Sequence, residues 1–88
     1  MHIILSKKYS GSEKYVCDLV KYQNKIYNIS IITSNKNFYF NKLLTKKVKK
    51  IEISDYFKKF QINKIIKNLK PDIIHSHLGD ATRLLNKS

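Results

Sequence analysis

Two histidines, His75 and His77, stand one residue apart near the end of the sequence, where their type and spacing could support chemistry. They follow a short apolar run and precede Gly79 and Asp80 in the stretch K-P-D-I-I-H-S-H-L-G-D. Residues two apart on a strand point to the same side, so both imidazoles would share one face. A metal site needs a third and usually a fourth ligand. Because Asp80 is the only nearby candidate, we discount a metal and expect none.

The two histidines differ in depth along the predicted strand. His77 stands at the strand tip, where it could make a polar contact to a substrate. His75 lies one step deeper and is interpreted as structural. An alternative, in which both histidines have satisfied hydrogen bonds and no chemical role, stays open.

A second candidate site is the loop K-K-Y-S-G-S-E-K-Y near the start of the chain. Ser10 and Glu13 have the spacing of a capping box, which predicts a helix from Gly11. The exposed amides of a helix N-terminus favour an anion or a sugar, and Gly11 would let it approach the backbone. The simpler interpretation is a capped helix after a tight turn, because the loop has neither a G-x-G-x-x-G nor a P-loop lysine pattern. On these residues alone, the capped helix is favoured.

The elements that position these residues alternate between strands and helices. The predicted strands are His2–Leu5, Asn28–Ser34, Lys50–Ser54 and Asp72–His77. Helices are predicted at Gly11–Lys25, from Ser54 or Asp55 to Leu69, and from Gly79 to Ser88, with a loop and a short extended piece at Phe38–Phe40. The first helix is expected to bury one apolar face, which comprises Tyr15, Val16, Leu19, Val20, Tyr22 and Ile26.

This order of elements predicts an α/β fold. We expect a partial Rossmann-like, doubly wound parallel sheet of about four strands, in the order 3-2-1-4, with helices on both faces. Ligands of such sheets bind beyond the carboxyl ends of the strands, where the strand order reverses. Here that point lies between the first and fourth strands. The loops with Gly11 and with Gly79 would therefore face each other across one crevice, with His77 opposite Gly11.

The composition limits the class of protein. The chain has 88 residues, enough for one small domain, and a formal net charge of +12. Such a charge can attract nucleic acid or an anionic membrane surface, so a small basic binding protein is an alternative function. All the basic residues except Arg83 are lysines, as an A/T-rich coding sequence would produce, and no specific nucleic-acid partner is expected. We expect a cytoplasmic protein, because the sequence shows neither a long apolar segment nor a signal peptide and has a single cysteine, Cys17. Cys17 is expected to lie off the apolar face of the first helix as an inert thiol.

Four segments carry a more specific resemblance when they are taken in order. They are H-I-I-L, S-G-S-E-K-Y-V-C-D-L-V, N-I-S-I-I-T and, above all, K-P-D-I-I-H-S-H. Together they resemble the N-terminal part of a family 4 glycosyltransferase, which has the two-domain GT-B architecture. In that family the loop typically reads G-G-A-E-[RK] and the later segment [KR]-P-D-[IV]-[IV]-H-x-H. The resemblance covers nearly the whole chain and is weakest from Asn35 to Lys49.

The resemblance implies retaining transfer of a sugar from a nucleotide-sugar donor to a glycan or lipid-linked acceptor, often of the cell envelope, without a metal or another cofactor. By position, His77 would be the catalytic residue that lines the cleft near the reacting sugar, and Gly11 would approach the donor phosphates or the sugar. Glu13 and Lys14 match the E-[RK] pair and would support the loop and the helix. The loops on both sides of the crevice supply the residues expected to bind substrate, which are Ser10, Gly11, Gly79 and Asp80.

Two departures from the family pattern limit what the chain is expected to do. Ser10 stands where the family has its first glycine, so a ligand would approach less closely. The sequence contains no second Rossmann domain, so residues 1–88 are interpreted as an incomplete, acceptor-side domain of a truncated enzyme, inactive alone. Donor and acceptor would then bind only in the full-length context, the C-terminal half could be a separate chain, and any contact with the inner face of a membrane would be peripheral.

Overall fold

The computed structural model describes residues 1–77, which form a four-stranded sheet between helices. In chain order the elements are β1 (His2–Ile4), α1 (Gly11–Gln23), β2 (Ser30–Ser34), α2 (Phe38–Leu43), β3 (Lys49–Ile53), α3 (Lys58–Leu69) and β4 (His75–His77). Neighbouring strands are parallel and lie in the order β3-β2-β1-β4. The predicted fold class and strand order are therefore confirmed.

Strand parity divides the core between the two faces of the sheet. Ile4 of β1 and Ile31 of β2 pack with Val16 and Val20 of α1 and with Phe40 of α2, in a first core cluster. The alternate residues of the strands face α3 and form a second core cluster, which comprises Ile3, Leu5, Ile32, Ile53 and Ile62. Because successive side chains of a strand point to opposite faces, both faces of the sheet are covered, as predicted.

Helix α1 begins at the predicted residue, but its buried face is narrower than predicted. Val16 and Val20 are fully buried, whereas Tyr15 is 59% and Tyr22 65% exposed. Successive residues of a helix are rotated by about 100°, so a side chain adjacent to Val16 in the sequence points along the protein surface. Ile26 is also exposed, because α1 ends before it. The prediction that these three residues share the buried face was wrong.

The single cysteine, Cys17, is half-buried and packs against the first core cluster. The expectation that it lies off the apolar face was therefore wrong. Burial, with a smaller contribution from the nearby Asp18 and Glu13, raises the pKa of its thiol. A thiol held protonated in this way is a poor nucleophile, which agrees with the interpretation of Cys17 as inert.

The segment around Phe38–Phe40 forms the helix α2, where the sequence predicts a loop with an extended piece. Phe40 is fully buried in the first core cluster. Asn37, which precedes the helix, donates from Nδ2 to the carbonyls of Ser6 and Lys8, at 3.1 and 3.2 Å. A helix of six residues is too short to be stable alone, so these tertiary contacts, and not local preference, account for it.

Two elements start later than predicted. Helix α3 begins at Lys58, after Phe57 in a left-handed conformation (φ 54°), because the carboxylate of Asp55 is engaged by lysines and caps no helix. Strand β4 begins at His75, whose amide donates to the carbonyl of Met1 at 2.8 Å.

The predicted third helix, from 79 to 88, lies outside the described residues. Within residues 1–77, none of the helices has the length and apolar character needed to cross a bilayer.

Candidate functional site

The candidate site lies beyond β1 and β4, where the strand order reverses. An open pocket of about 490 Å³ separates the N-terminus of α1 from the carboxyl end of β4. The described residues that line it are Gly11, Ser12, Tyr15, Ser76 and His77. Gly11 and His77 therefore lie on opposite sides of one pocket, the arrangement that the predicted topology requires.

The loop that leads into α1 is held by the carboxylate of Glu13, which is only 1% exposed. Its Oε1 accepts a hydrogen bond from the Ser6 hydroxyl, and its Oε2 accepts from the Ser10 amide at 3.0 Å and the Ser10 hydroxyl at 2.5 Å. The predicted capping box is therefore present. Burial alone would raise the pKa of Glu13, but these hydrogen bonds outweigh it and lower the pKa below the ordinary 4.5. The carboxylate of Glu13 is thus charged at neutral pH. It lies in the first turn of α1, where the helix dipole favours an anion.

Ser10 and Gly11, both predicted to bind substrate, are placed differently. The amide and hydroxyl of Ser10 are both engaged by Glu13, and Ser10 is not among the residues that line the pocket. Its predicted contact with substrate stays a prediction. Gly11 lines the pocket, and a Cβ atom added to it would meet none of the other described residues, 1–77, within 4 Å. This part of the chain therefore leaves the space beside Gly11 open.

All three histidines of the chain converge beside this pocket. Strands β1 and β4 pair in a register that places His2 opposite His75 and Ile4 opposite His77, so the three imidazoles lie on the side of the sheet that carries α1. The rings of His75 and His77 are stacked with centroids 4.1 Å apart, and His2 lies 5.2 Å from His77. Sequence reasoning missed His2, although the predicted strand order, which makes β1 and β4 neighbours, carried the signal.

A chain of hydrogen bonds links these histidines to α1. Nε2 of His2 lies 2.7 Å from the amide oxygen of Gln23, which can only accept, so His2 carries a proton on Nε2. In neutral His2, Nδ1 is then an acceptor, and it receives the hydrogen bond that Nε2 of His77 donates at 3.0 Å. Gln23 thereby sets the tautomer of both rings, and Nδ1 of His77 is left as an acceptor.

The neutral state of both rings is favoured by their surroundings. Burial, followed by the nearby His75 and His2, lowers the pKa of His77 from 6.5 to about 4. Burial also lowers the pKa of His2, and it outweighs the hydrogen bond to Gln23, which would raise it. At neutral pH the wall of the pocket is therefore formed by a hydrogen-bonding imidazole and not by a cation.

Two other predicted substrate contacts, Gly79 and Asp80, lie outside the described residues.

A further charged group occupies the same edge of the sheet. The carboxylate of Asp55, after β3, is 3.1 Å from Nζ of Lys7, which follows β1, and 2.7 Å from Nζ of Lys36, which follows β2. Hydrogen bonds from Lys36 and Lys7 lower the pKa of Asp55 from 3.8 to about 2. These ion pairs tie together the loops that follow three strands.

Comparison with known proteins identifies the family of the chain. A family model described as glycosyl transferase 4-like matches residues 2–85 of the chain. Curated proteins and solved structures give no significant match. The matched range includes the described sheet, the loop with Gly11 and the strand with His77. The resemblance expected from the sequence motifs is confirmed: the chain belongs to the glycosyl transferase 4-like family.

Proposed function

We propose that this chain supplies the acceptor-side wall of the cleft in a retaining glycosyltransferase of GT-B architecture. The reaction is transfer of a sugar from a nucleotide-sugar donor to a glycan or lipid-linked acceptor. The observation that carries the proposal is the single pocket shared by Gly11 and His77 at the point where the strand order reverses. Membership of the glycosyl transferase 4-like family supports the reaction class.

Gly11 serves the ligand and not the fold. An added Cβ would touch no other atom of residues 1–77 within 4 Å, so packing within this part of the chain does not require glycine at position 11. Any larger side chain would instead occupy space beside the pocket that Gly11 lines. The amides at the N-terminus of α1 then face a donor phosphate or sugar at close range, in a field that favours negative charge.

His77 contacts the transferred sugar as a neutral hydrogen-bonding group. With its Nε2 proton donated to His2, its Nδ1 accepts a hydrogen bond from a sugar hydroxyl. Gln23 and His2 act as positioning residues, because they fix the tautomer of His77 through hydrogen bonds of 2.7 and 3.0 Å. Negative charge that develops on the departing diphosphate is stabilised by protein dipoles and cations, so no metal takes part in the transfer.

The remaining walls of the cleft come from the segment that follows His77, with Gly79 and Asp80, and from a second domain or a separate chain. The pocket is open, and among the described residues only those of α1 and β4 line it. An isolated chain of 88 residues is therefore expected to bind donors weakly and to show no turnover. Its lysine excess would favour the cytoplasmic, anionic face of a membrane, where a lipid-linked acceptor is found.

The test is a titration of the isotope-labelled chain with UDP-glucose, UDP-N-acetylglucosamine and GDP-mannose, followed by NMR at two salt concentrations. We expect at least one nucleotide sugar, at millimolar concentration, to shift the amide signals of Gly11 and Ser12 and the ring signals of His77. Free UDP or GDP should move the two amides but not the His77 ring, because only the sugar reaches His77.

The control for the charge is the salt dependence. Shifts that spread over the lysine-rich surface and vanish at high salt would contradict the proposal and favour the small basic binding protein. Transfer of sugar by the isolated chain with ordinary turnover would contradict the expected need for a second domain or chain.

A further inference from the structure

We infer that His2, His75 and His77 form a site for a divalent transition-metal ion of the zinc type. Among residues 1–77 these three side chains are the group whose potential ligand atoms all lie within 4.8 Å of one another. They come from two adjacent parallel strands, so one ion would bridge β1 to β4. This site goes beyond the proposed sugar transfer, in which no metal is expected to take part.

The distances fit a common ion. Nδ1 of His2 and Nε2 of His77 are 3.0 Å apart. Zinc–nitrogen bonds of about 2.0–2.1 Å at a tetrahedral angle place two ligand nitrogens roughly 3.3 Å apart, and no two ligands can be more than about 4.2 Å apart. The nitrogens of His2 and His77 are therefore already within about 0.3 Å of the separation that zinc requires. His75 needs to approach by less than about 1.5 Å, which its exposed ring can do by rotating about its side-chain bonds.

The hydrogen bond between Gln23 and His2 has the form expected around a metal ligand. Histidines that bind metals usually donate their other N–H to a carboxylate or carbonyl oxygen, which fixes the ring and its tautomer. Here Nε2 of the 4%-exposed His2 donates to the amide oxygen of Gln23, leaving Nδ1 as the ligand. The ion would take the place of the proton shared by His2 and His77, and the ring of His77 would carry its proton on Nδ1 instead.

The donor set selects the class of ion. Three imidazoles suit zinc, copper and nickel, whereas calcium and magnesium require oxygen ligands. Water would complete the coordination. Since β4 is the edge strand of the described sheet, the ion would fasten that strand to β1. A bound ion would also remove the lone pair on Nδ1 of His77; this consequence, inhibition of sugar binding by zinc, rests on the proposed function.

The test is isothermal titration of the full chain with Zn²⁺ at neutral pH, with unfolding midpoints measured in parallel. We expect one ion per chain and a midpoint that rises with the Zn²⁺ concentration, because the ion binds the folded state. The variants His75→Ala and His77→Ala should each weaken binding by at least about tenfold. Cys17→Ala, which removes the single thiol, is the matched control and should bind as the native chain does. Mg²⁺ should cause no shift.

A second pair of variants tests whether the hydrogen bond from His2 to Gln23 supports metal binding. Gln23→Glu supplies a stronger acceptor for His2 and should bind Zn²⁺ as tightly as the native chain or more tightly. Gln23→Leu should bind roughly tenfold more weakly. His75 is exposed, so its variant folds even if substitution at the buried positions does not. No response to Zn²⁺, or full affinity in His75→Ala and His77→Ala, would overturn the inference, since other groups would then hold the ion. These results do not depend on whether any sugar binds.

Discussion

Replacement of Glu13 by alanine tests how the loop beside the pocket is held. The carboxylate is 1% exposed and accepts hydrogen bonds from Ser6 and from both the amide and the hydroxyl of Ser10. A hydrogen bond to a charged group contributes about 1.5–3 kcal/mol, and a lost helix cap costs roughly 1 kcal/mol. These contributions overlap, because one side chain makes them all and water can enter the vacated site. We therefore expect Glu13→Ala to lower the free energy of unfolding by about 2–3 kcal/mol.

The assay is urea unfolding followed by circular dichroism, with thermal unfolding in parallel. For a domain of this size a loss of about 2 kcal/mol lowers the midpoint by roughly 8–16 °C. Two matched variants serve as controls. Glu13→Gln keeps the side-chain volume and one acceptor, so it should lose about half as much free energy of unfolding as Glu13→Ala. Lys14→Ala lies on the exposed side of α1 and should change the free energy of unfolding by less than about 0.5 kcal/mol. A loss in Glu13→Ala no larger than in Lys14→Ala would show that the hydrogen bonds of Glu13 do not stabilise the fold.

The pH dependence of stability in the native chain and in Glu13→Gln tests whether the carboxylate of Glu13 is charged. The pKa of Glu13 is lowered in the folded state from its ordinary value of 4.5. A carboxylate of this kind stabilises the fold fully above about pH 4.5, and its contribution is lost as the pH falls through the lowered pKa. The difference in stability between the native chain and Glu13→Gln should accordingly be constant near neutral pH and shrink below pH 4.5. A difference that grows on acidification would contradict the assigned hydrogen bonds.

Two further predictions concern the core and the charged edge of the sheet. Phe40→Ala should cost about 3–5 kcal/mol in urea unfolding, since the ring is fully buried, whereas Phe38→Ala on the same short helix should cost far less because that ring is 77% exposed; equal losses would show that α2 is not packed as described. The carboxyl of Asp55 should titrate with a pKa of about 2 by NMR, and Lys36→Met should move that pKa toward 3.8. The ionised carboxylate of Asp55 stabilises the fold above about pH 4, and this contribution is lost between pH 4 and 2. An unshifted pKa of Asp55 in the native chain would exclude these ion pairs.

The sequence was sufficient for those features that depend on local pattern. Alternation of strands and helices predicted the parallel sheet and its order, and the spacing of Ser10 and Glu13 predicted the start of α1. Because strand order fixes where the carboxyl ends meet, the position of Gly11 and His77 at one pocket could be predicted from the sequence.

The features that the sequence did not predict depend on contacts between distant residues. Helix α2 is held by burial of Phe40 and by Asn37, whose partners lie near the end of β1, and no local cap marks it. The apolar periodicity of α1 includes Tyr15, but only the actual tilt of the helix on the sheet decides which residues are covered. His2 was missed as a member of the site because its neighbour His77 is 75 positions away, and only the register of β1 against β4 brings them together.

The most direct test of the central claim, that the pocket between Gly11 and His77 binds the sugar donor, is the affinity of Gly11→Val for the nucleotide sugar that shifts the native spectrum. Within residues 1–77 the added side chain meets no atom at its Cβ, so the unfolding midpoint should stay close to that of the native chain. We expect Gly11→Val to lose the ring shift of His77 and to bind at least about tenfold more weakly, a change of roughly 1.4 kcal/mol. Native affinity and an unaltered His77 shift in the folded variant would contradict this claim.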